Sequence, residues 1–72
     1  MIEKILKIAA DVFEVPVTED TSMANCEKWD SFRHLNLIVA LEEAFDVSFE
    51  PEEIATMKSI AEIEKRLQGS LN

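Results

Sequence analysis

Apolar residues near the start of the chain fall at Ile2, Ile5, Leu6, Ile8, Ala9, Val12 and Phe13. Steps of three and four place them on one stripe of a helix. Val15-Pro16 should end that helix, because the residue before a proline is pushed out of the α region. From Val17 to Asp30 the periodicity disappears and turn-forming residues take over. This predicts a long first loop, with Val17, Met23 and Trp29 as its apolar anchors. Periodicity returns in a second helix predicted over Ser31 to Phe45. Its apolar face is Phe32, Leu35, Ile38, Val39, Leu41 and Phe45, wide enough to leave part of it exposed.

Asp46 to Phe49 reads as a connector. Glu50-Pro51-Glu52-Glu53 then puts a proline and acids where a first helical turn favours them, and the short third helix should end near Thr56. Ser59-Ile60-Ala61-Glu62 has the spacing of a capping box. The closing helix turns Ile60, Ile63 and Leu67 inward, with Gly69 as its stop. No segment alternates as a strand beyond a few residues. The expectation is an all-α fold: a small four-helix bundle of three longer helices and one short one, forming a single domain over residues 1–72.

Charge changes the picture next. Fifteen acids against seven bases give a formal net charge of −8. Between Arg33 and Lys58 there is no Lys or Arg, while Glu42, Glu43, Asp46, Glu50, Glu52 and Glu53 all fall there. Such a field repels nucleic acid and anionic lipid and draws basic partners; equally, it serves to keep a small domain soluble. No run approaches the roughly 20 apolar residues of a membrane span. Cys26 is the single cysteine, so there is no disulfide framework, and the charged opening residues do not read as a signal peptide. A cytoplasmic, monomeric protein with no membrane insertion is the expectation.

The candidate chemistry centres on Asp30-Ser31-Phe32, which sets a hydroxyl at a helix start beside a carboxylate. An ordinary N-cap serine is one reading. Catalysis by Ser31 with His34 and Asp30 is another, since three residues apart on a helix brings Ser31 and His34 together. That chemistry also needs an oriented base and an oxyanion hole, usually built from glycine-rich backbone. Gly69, in the tail, is the only glycine. Cys26 and His34 supply neither a paired motif nor a zinc spacing, and the acids do not match a calcium loop. No catalytic residue and no metal site are therefore assigned.

The segment Trp29-Asp30-Ser31-Phe32-Arg33-His34-Leu35, continued by Leu37-Ile38-x-Ala40-Leu41-Glu42-Glu43-x-Phe45, resembles the prosthetic-group segment of acyl carrier proteins. The resemblance extends over the chain, through the long loop, the short third helix entered by Phe49-x-Pro51-Glu52-Glu53-Ile54, and the closing helix. It implies that Ser31 carries 4'-phosphopantetheine, taken from coenzyme A and joined through a phosphodiester. The thiol of that arm would hold acyl intermediates as thioesters for partner enzymes of fatty-acid, polyketide-like or other specialised acyl biosynthesis. A helix start suits the phosphate, with its unpaired N–H groups and positive dipole end. Phe32 is expected to pack beside Ser31. Asp30 is either an N-cap, a group that meets the metal ion of the phosphopantetheinyl transferase, or both.

The same resemblance casts Glu42, Glu43 and Asp46 as part of an acidic surface for basic docking patches on acyl-transferring and acyl-modifying enzymes. A solvated helix face is the plainer reading of these acids. Val39 and Ile54 match apolar positions that line partner contacts, with burial in the core as the alternative. Some residues depart from the family pattern. Lys28-Trp29 stands where a glycine commonly precedes the motif, and Phe32 replaces the usual leucine. Arg33 and Asn36 occupy positions often acidic in housekeeping carriers, so Arg33 belongs to the surface that selects partners. Two rivals stay open: an aminoacyl or peptidyl carrier, and an acidic helical interaction module with no prosthetic group. Ile5, Leu35, Ile38 and Ile63 are the candidates to line a space for an acyl chain.

Overall fold

The computed structural model describes residues 1–71, and among them four helices form: α1 (Ile2–Phe13), α2 (Ser31–Phe45), α3 (Pro51–Thr56) and α4 (Ile60–Leu71). The all-α bundle expected from the apolar spacing is the fold found. α1 buries Ile5, Ala9 and Phe13, one residue per turn along a single stripe. α2 buries His34, Leu37, Ile38 and Leu41, again at three- and four-residue steps. Met57, Ile60, Ile63 and Leu67 complete the centre, together with Trp29 from the first loop and Phe49 from the second connector.

The face of α2 differs from expectation. Leu37 and His34 point inward, while Leu35 (57 % exposed), Phe32 (73 %) and Val39 (53 %) point out. Phe32 therefore does not pack down beside Ser31. Leu35 does not line the interior either. At 3.6 residues per turn the buried and exposed stripes lie about 140° apart round the helix. α2 is apolar on two faces, and only one can meet the core.

Two helix ends also differ. α1 stops at Phe13, two residues before Val15. Glu14 turns left-handed there (φ 59°, ψ 34°), and its N–H donates to the Ala10 carbonyl at 2.8 Å. At the other end of the chain, α4 runs through Gly69 to Leu71. Space is open around Gly69, and its backbone is not in the positive-φ region a stop would use. Glycine costs a helix about 1 kcal/mol relative to alanine, a cost that does not end this one.

The long first loop is ordered by its own polar side chains. Thr21 Oγ1 accepts from the Thr18 N–H at 3.0 Å, and Asn25 Oδ1 from the Ser22 N–H at 2.9 Å. The loop is then tied to the α3–α4 turn. Met23 N–H donates to Lys58 O at 2.9 Å, and Ile60 N–H to Thr21 O at 3.0 Å. Ser59 caps α4 through the Glu62 N–H at 3.1 Å, as its spacing predicts. Lys4 closes the far end of α2, donating to Ala44 O at 3.1 Å with its ammonium 4.9 Å from the Phe45 ring centre. A cation there meets the helix's negative end.

Candidate functional site

The loop-to-α2 junction is built by Asp30. Its backbone is extended (φ −98°, ψ −179°), which lets Oδ1 reach forward to accept the Arg33 N–H at 2.8 Å. The second carboxylate oxygen lies 3.5 Å from Arg33 Nη1. One side chain thus caps the helix and holds a guanidinium beside its first turn. Ser31 is the first helical residue and is exposed. The His34 N–H takes Asp30 O at 2.8 Å as the first bond of the helix. With Arg33 capped, the N–H groups of Ser31 and Phe32 are left for an outside acceptor. A nucleophilic oxygen and an anion-favouring helix end therefore share one exposed position.

Beside Ser31 lies a groove of about 330 Å³, lined by Met23, Ser31, His34, Leu35, Ala55 and Lys58. It is walled by α2 on one side and α3 on the other, with the first loop beneath. Its lining is mostly apolar, and Lys58 is its one cation. A larger cavity of about 510 Å³, lined by Glu53, Glu62, Lys65, Arg66, Gly69 and Ser70, lies along α3 and α4 and does not include Ser31. Its Arg66 is already engaged by Glu53 at 3.8 Å and by Thr56 Oγ1 at 3.3 Å.

His34 is 8 % exposed, a core residue with both ring nitrogens engaged. Trp29 Nε1–H donates to Nδ1 at 3.0 Å, and Nε2 lies 2.9 Å from Ile54 O. Indole nitrogen can only donate and a carbonyl can only accept. Nδ1 is then the bare nitrogen, and the ring is neutral with its proton on Nε2. Such a ring has no lone pair left to take a proton from Ser31. This removes the Ser31–His34–Asp30 catalytic reading on geometry. It likewise leaves no nitrogen for a metal.

The remaining residues of interest divide by position. Glu42 is half-buried, and its carboxylate accepts the Phe49 N–H at 2.9 Å, anchoring the connector to α2. Glu43 is exposed and continues the Phe32–Leu35–Val39 stripe. Asp46 is exposed as the left-handed C-cap of α2 (φ 54°, ψ 52°). Ile54 is half-buried, its side chain packed on the core and its carbonyl taken by His34.

A family model described as the phosphopantetheine attachment site matches residues 3–67. The chain belongs to this family. Its fold is also similar to that of the holo acyl carrier protein from Geobacter metallireducens, solved by solution NMR. The TM-score is 0.85 at 27 % identity, covering 97 % of this chain and 84 % of that one. The chain is thus a phosphopantetheine-attachment domain of acyl-carrier type, a carrier and not an enzyme, with 4'-phosphopantetheine as its covalent prosthetic group. No helix among the described residues is long and apolar enough to cross a membrane.

Proposed function

We propose that Ser31 is the attachment residue and that residues 1–72 act as one cytoplasmic, monomeric carrier of acyl units. The observation that carries this reading is the exposed Ser31 hydroxyl at the first position of α2, with two unclaimed backbone N–H groups and an apolar groove beside it. These residues fit the group. An attached phosphate would meet the helix's positive end, and Arg33 stands two residues on. A linear arm would find apolar contact along Met23, Leu35 and Ala55. When bound, the group supplies a thiol on a flexible arm, where an acyl cargo is held as a thioester.

In the modification step, a bond forms between Ser31 Oγ and a phosphorus of coenzyme A's diphosphate. The bond from that phosphorus to the nucleotide's phosphate oxygen breaks, and the serine proton passes to a base on the transferase. This chain contributes the oxygen and its presentation. Asp30 holds the helix start and offers its outer carboxylate oxygen to the transferase's metal ion.

For acyl-handling partners, Val39 and Glu43 supply an apolar-and-acidic face on α2, with Arg33 and Asp46 at its two ends. Glu42 and Ile54 contribute by fixing that face in place. It would work as a discrete carrier in fatty-acid, polyketide-like or other specialised acyl biosynthesis. An aminoacyl or peptidyl cargo is the second reading, favoured by Arg33 and Asn36, which make the start of α2 less acidic.

Incubation with coenzyme A, magnesium and a broad-specificity phosphopantetheinyl transferase, followed by intact mass, tests the assignment. The parent should gain one phosphopantetheine and Ser31→Ala none. A folded parent that gains nothing would instead be an acidic interaction module.

A further inference from the structure

The wall between α2 and α3 decides whether a tethered cargo enters the bundle. A chain held at Ser31 meets the protein in the groove beside it, and His34 is the buried residue of that groove's lining. This ring spans three elements. It accepts from Trp29 in the first loop at 3.0 Å and bonds the Ile54 carbonyl of α3 at 2.9 Å, while its own backbone belongs to α2. Trp29 is itself fixed, buried and packed on Phe13 of α1 with ring centres 5.0 Å apart. Behind the bridge, Ile5, Leu37, Met57, Ile60 and Ile63 are fully buried, and Ile38 nearly so.

Parting α2 from α3 would break the His34–Ile54 bond, and displacing the ring would break that to Trp29. The bond to Trp29 is buried and that to Ile54 part-buried, so each loss leaves a donor or acceptor unpaired at least partly out of water, where that is costly. A purely apolar seam carries no such barrier.

We infer that the Trp29–His34–Ile54 bridge closes the bundle to acyl chains, so that His34 restricts the cargo to units small enough to lie in the surface groove. The inference rests on Ser31 as the attachment residue. Its substrate class is the short acyl unit, not a long saturated chain stored in the interior. Met23, Leu35 and Ala55 give such a unit apolar contact. Among the described residues Lys58 has no carboxylate partner, so it is free to face the arm or a polar cargo.

The test loads the parent and His34→Ala with amide analogues of acetyl-, hexanoyl- and dodecanoyl-phosphopantetheine, each confirmed by intact mass. Thermal midpoints and the methyl resonances of Ile5, Ile38 and Ile63 are then compared. In the parent, acetyl and dodecanoyl forms should melt within about 1 °C of each other with the core methyls unmoved. In His34→Ala, lengthening the chain should raise the midpoint by more than about 5 °C, the scale expected for burying several methylenes in a domain this small. A parent that itself gains more than about 5 °C, with shifts at Ile38 and Ile63, would overturn the inference while leaving Ser31 intact. A folded His34→Ala that stays flat would overturn the role of the bridge. Should that variant not fold, the parent series decides alone. Failure of the parent to load overturns the Ser31 assignment, and this inference with it.

Discussion

Asp30 combines two duties that substitution can separate. Its Oδ1 caps α2 at 2.8 Å, and its Oδ2 stands 3.5 Å from the Arg33 guanidinium. Asparagine caps a helix about as well as aspartate, whereas alanine costs about 1 kcal/mol. The ion pair adds little, being partly exposed. Asp30→Ala should therefore lose about 1 kcal/mol in urea unfolding, and Asp30→Asn only a few tenths. If Asp30 meets the transferase's metal ion as proposed, the rate of loading should fall at least tenfold in both, because each removes that carboxylate. If Asp30→Asn loads at the parent rate, Asp30 is a cap alone. His34 teaches the converse. As a residue type it suggested a base or ligand, yet its partners lie five and twenty residues away in sequence. No local spacing reveals a bridge of that kind.

At the scale of elements, boundaries set by local chemistry were readable and the orientation of a helix was not. α2 and α3 begin and end where capping residues and proline place them, Ser31 to Phe45 and Pro51 to Thr56. The inward face of α2 is hidden in the pattern because Phe32, Leu35 and Val39 are as apolar as Leu37, Ile38 and Leu41, which bury. Only packing into the shared core, chiefly against α1, chooses between the two stripes. The exposed choice leaves bulky apolar groups on the surface near Ser31, which a carrier that docks to enzymes can use. α1 ends early for a reason the sequence also conceals: Glu14 adopts φ 59° without being glycine. A side chain in that region is strained, and glycine is the residue helices commonly use there. Glu14→Gly should raise stability by about 0.5 to 1 kcal/mol in urea unfolding, the relieved strain exceeding glycine's added unfolded-state entropy. Asp46→Gly should gain less, since aspartate tolerates the left-handed region better. Equal gains at the two sites, or a loss at Glu14, would show that the strain is negligible.

For the whole molecule, what matters is how little of the charge is paired. Against a formal charge of −8, the described residues form two ion pairs, Arg33–Asp30 and Arg66–Glu53, both partly exposed. Lys4 is turned to a carbonyl and an aromatic ring and neutralises no acid directly. The molecule measures 30 Å along its longest axis. The screening length is about 30 Å at 0.01 M salt and about 8 Å at 0.15 M. At the lower salt every acid therefore feels nearly every other, and at the higher only its neighbours. Folding concentrates this charge, so repulsion opposes the compact state most when salt is low. The urea midpoint should accordingly rise as sodium chloride goes from 0.01 to 0.15 M. A midpoint that stays level would mean that the acids are already spaced widely enough to ignore one another. Docking to a basic enzyme surface should respond in the opposite sense, its association rate falling over the same range as steering is screened. The two responses separate the roles of the acids: one reports what they cost the fold, the other what they contribute to finding a partner.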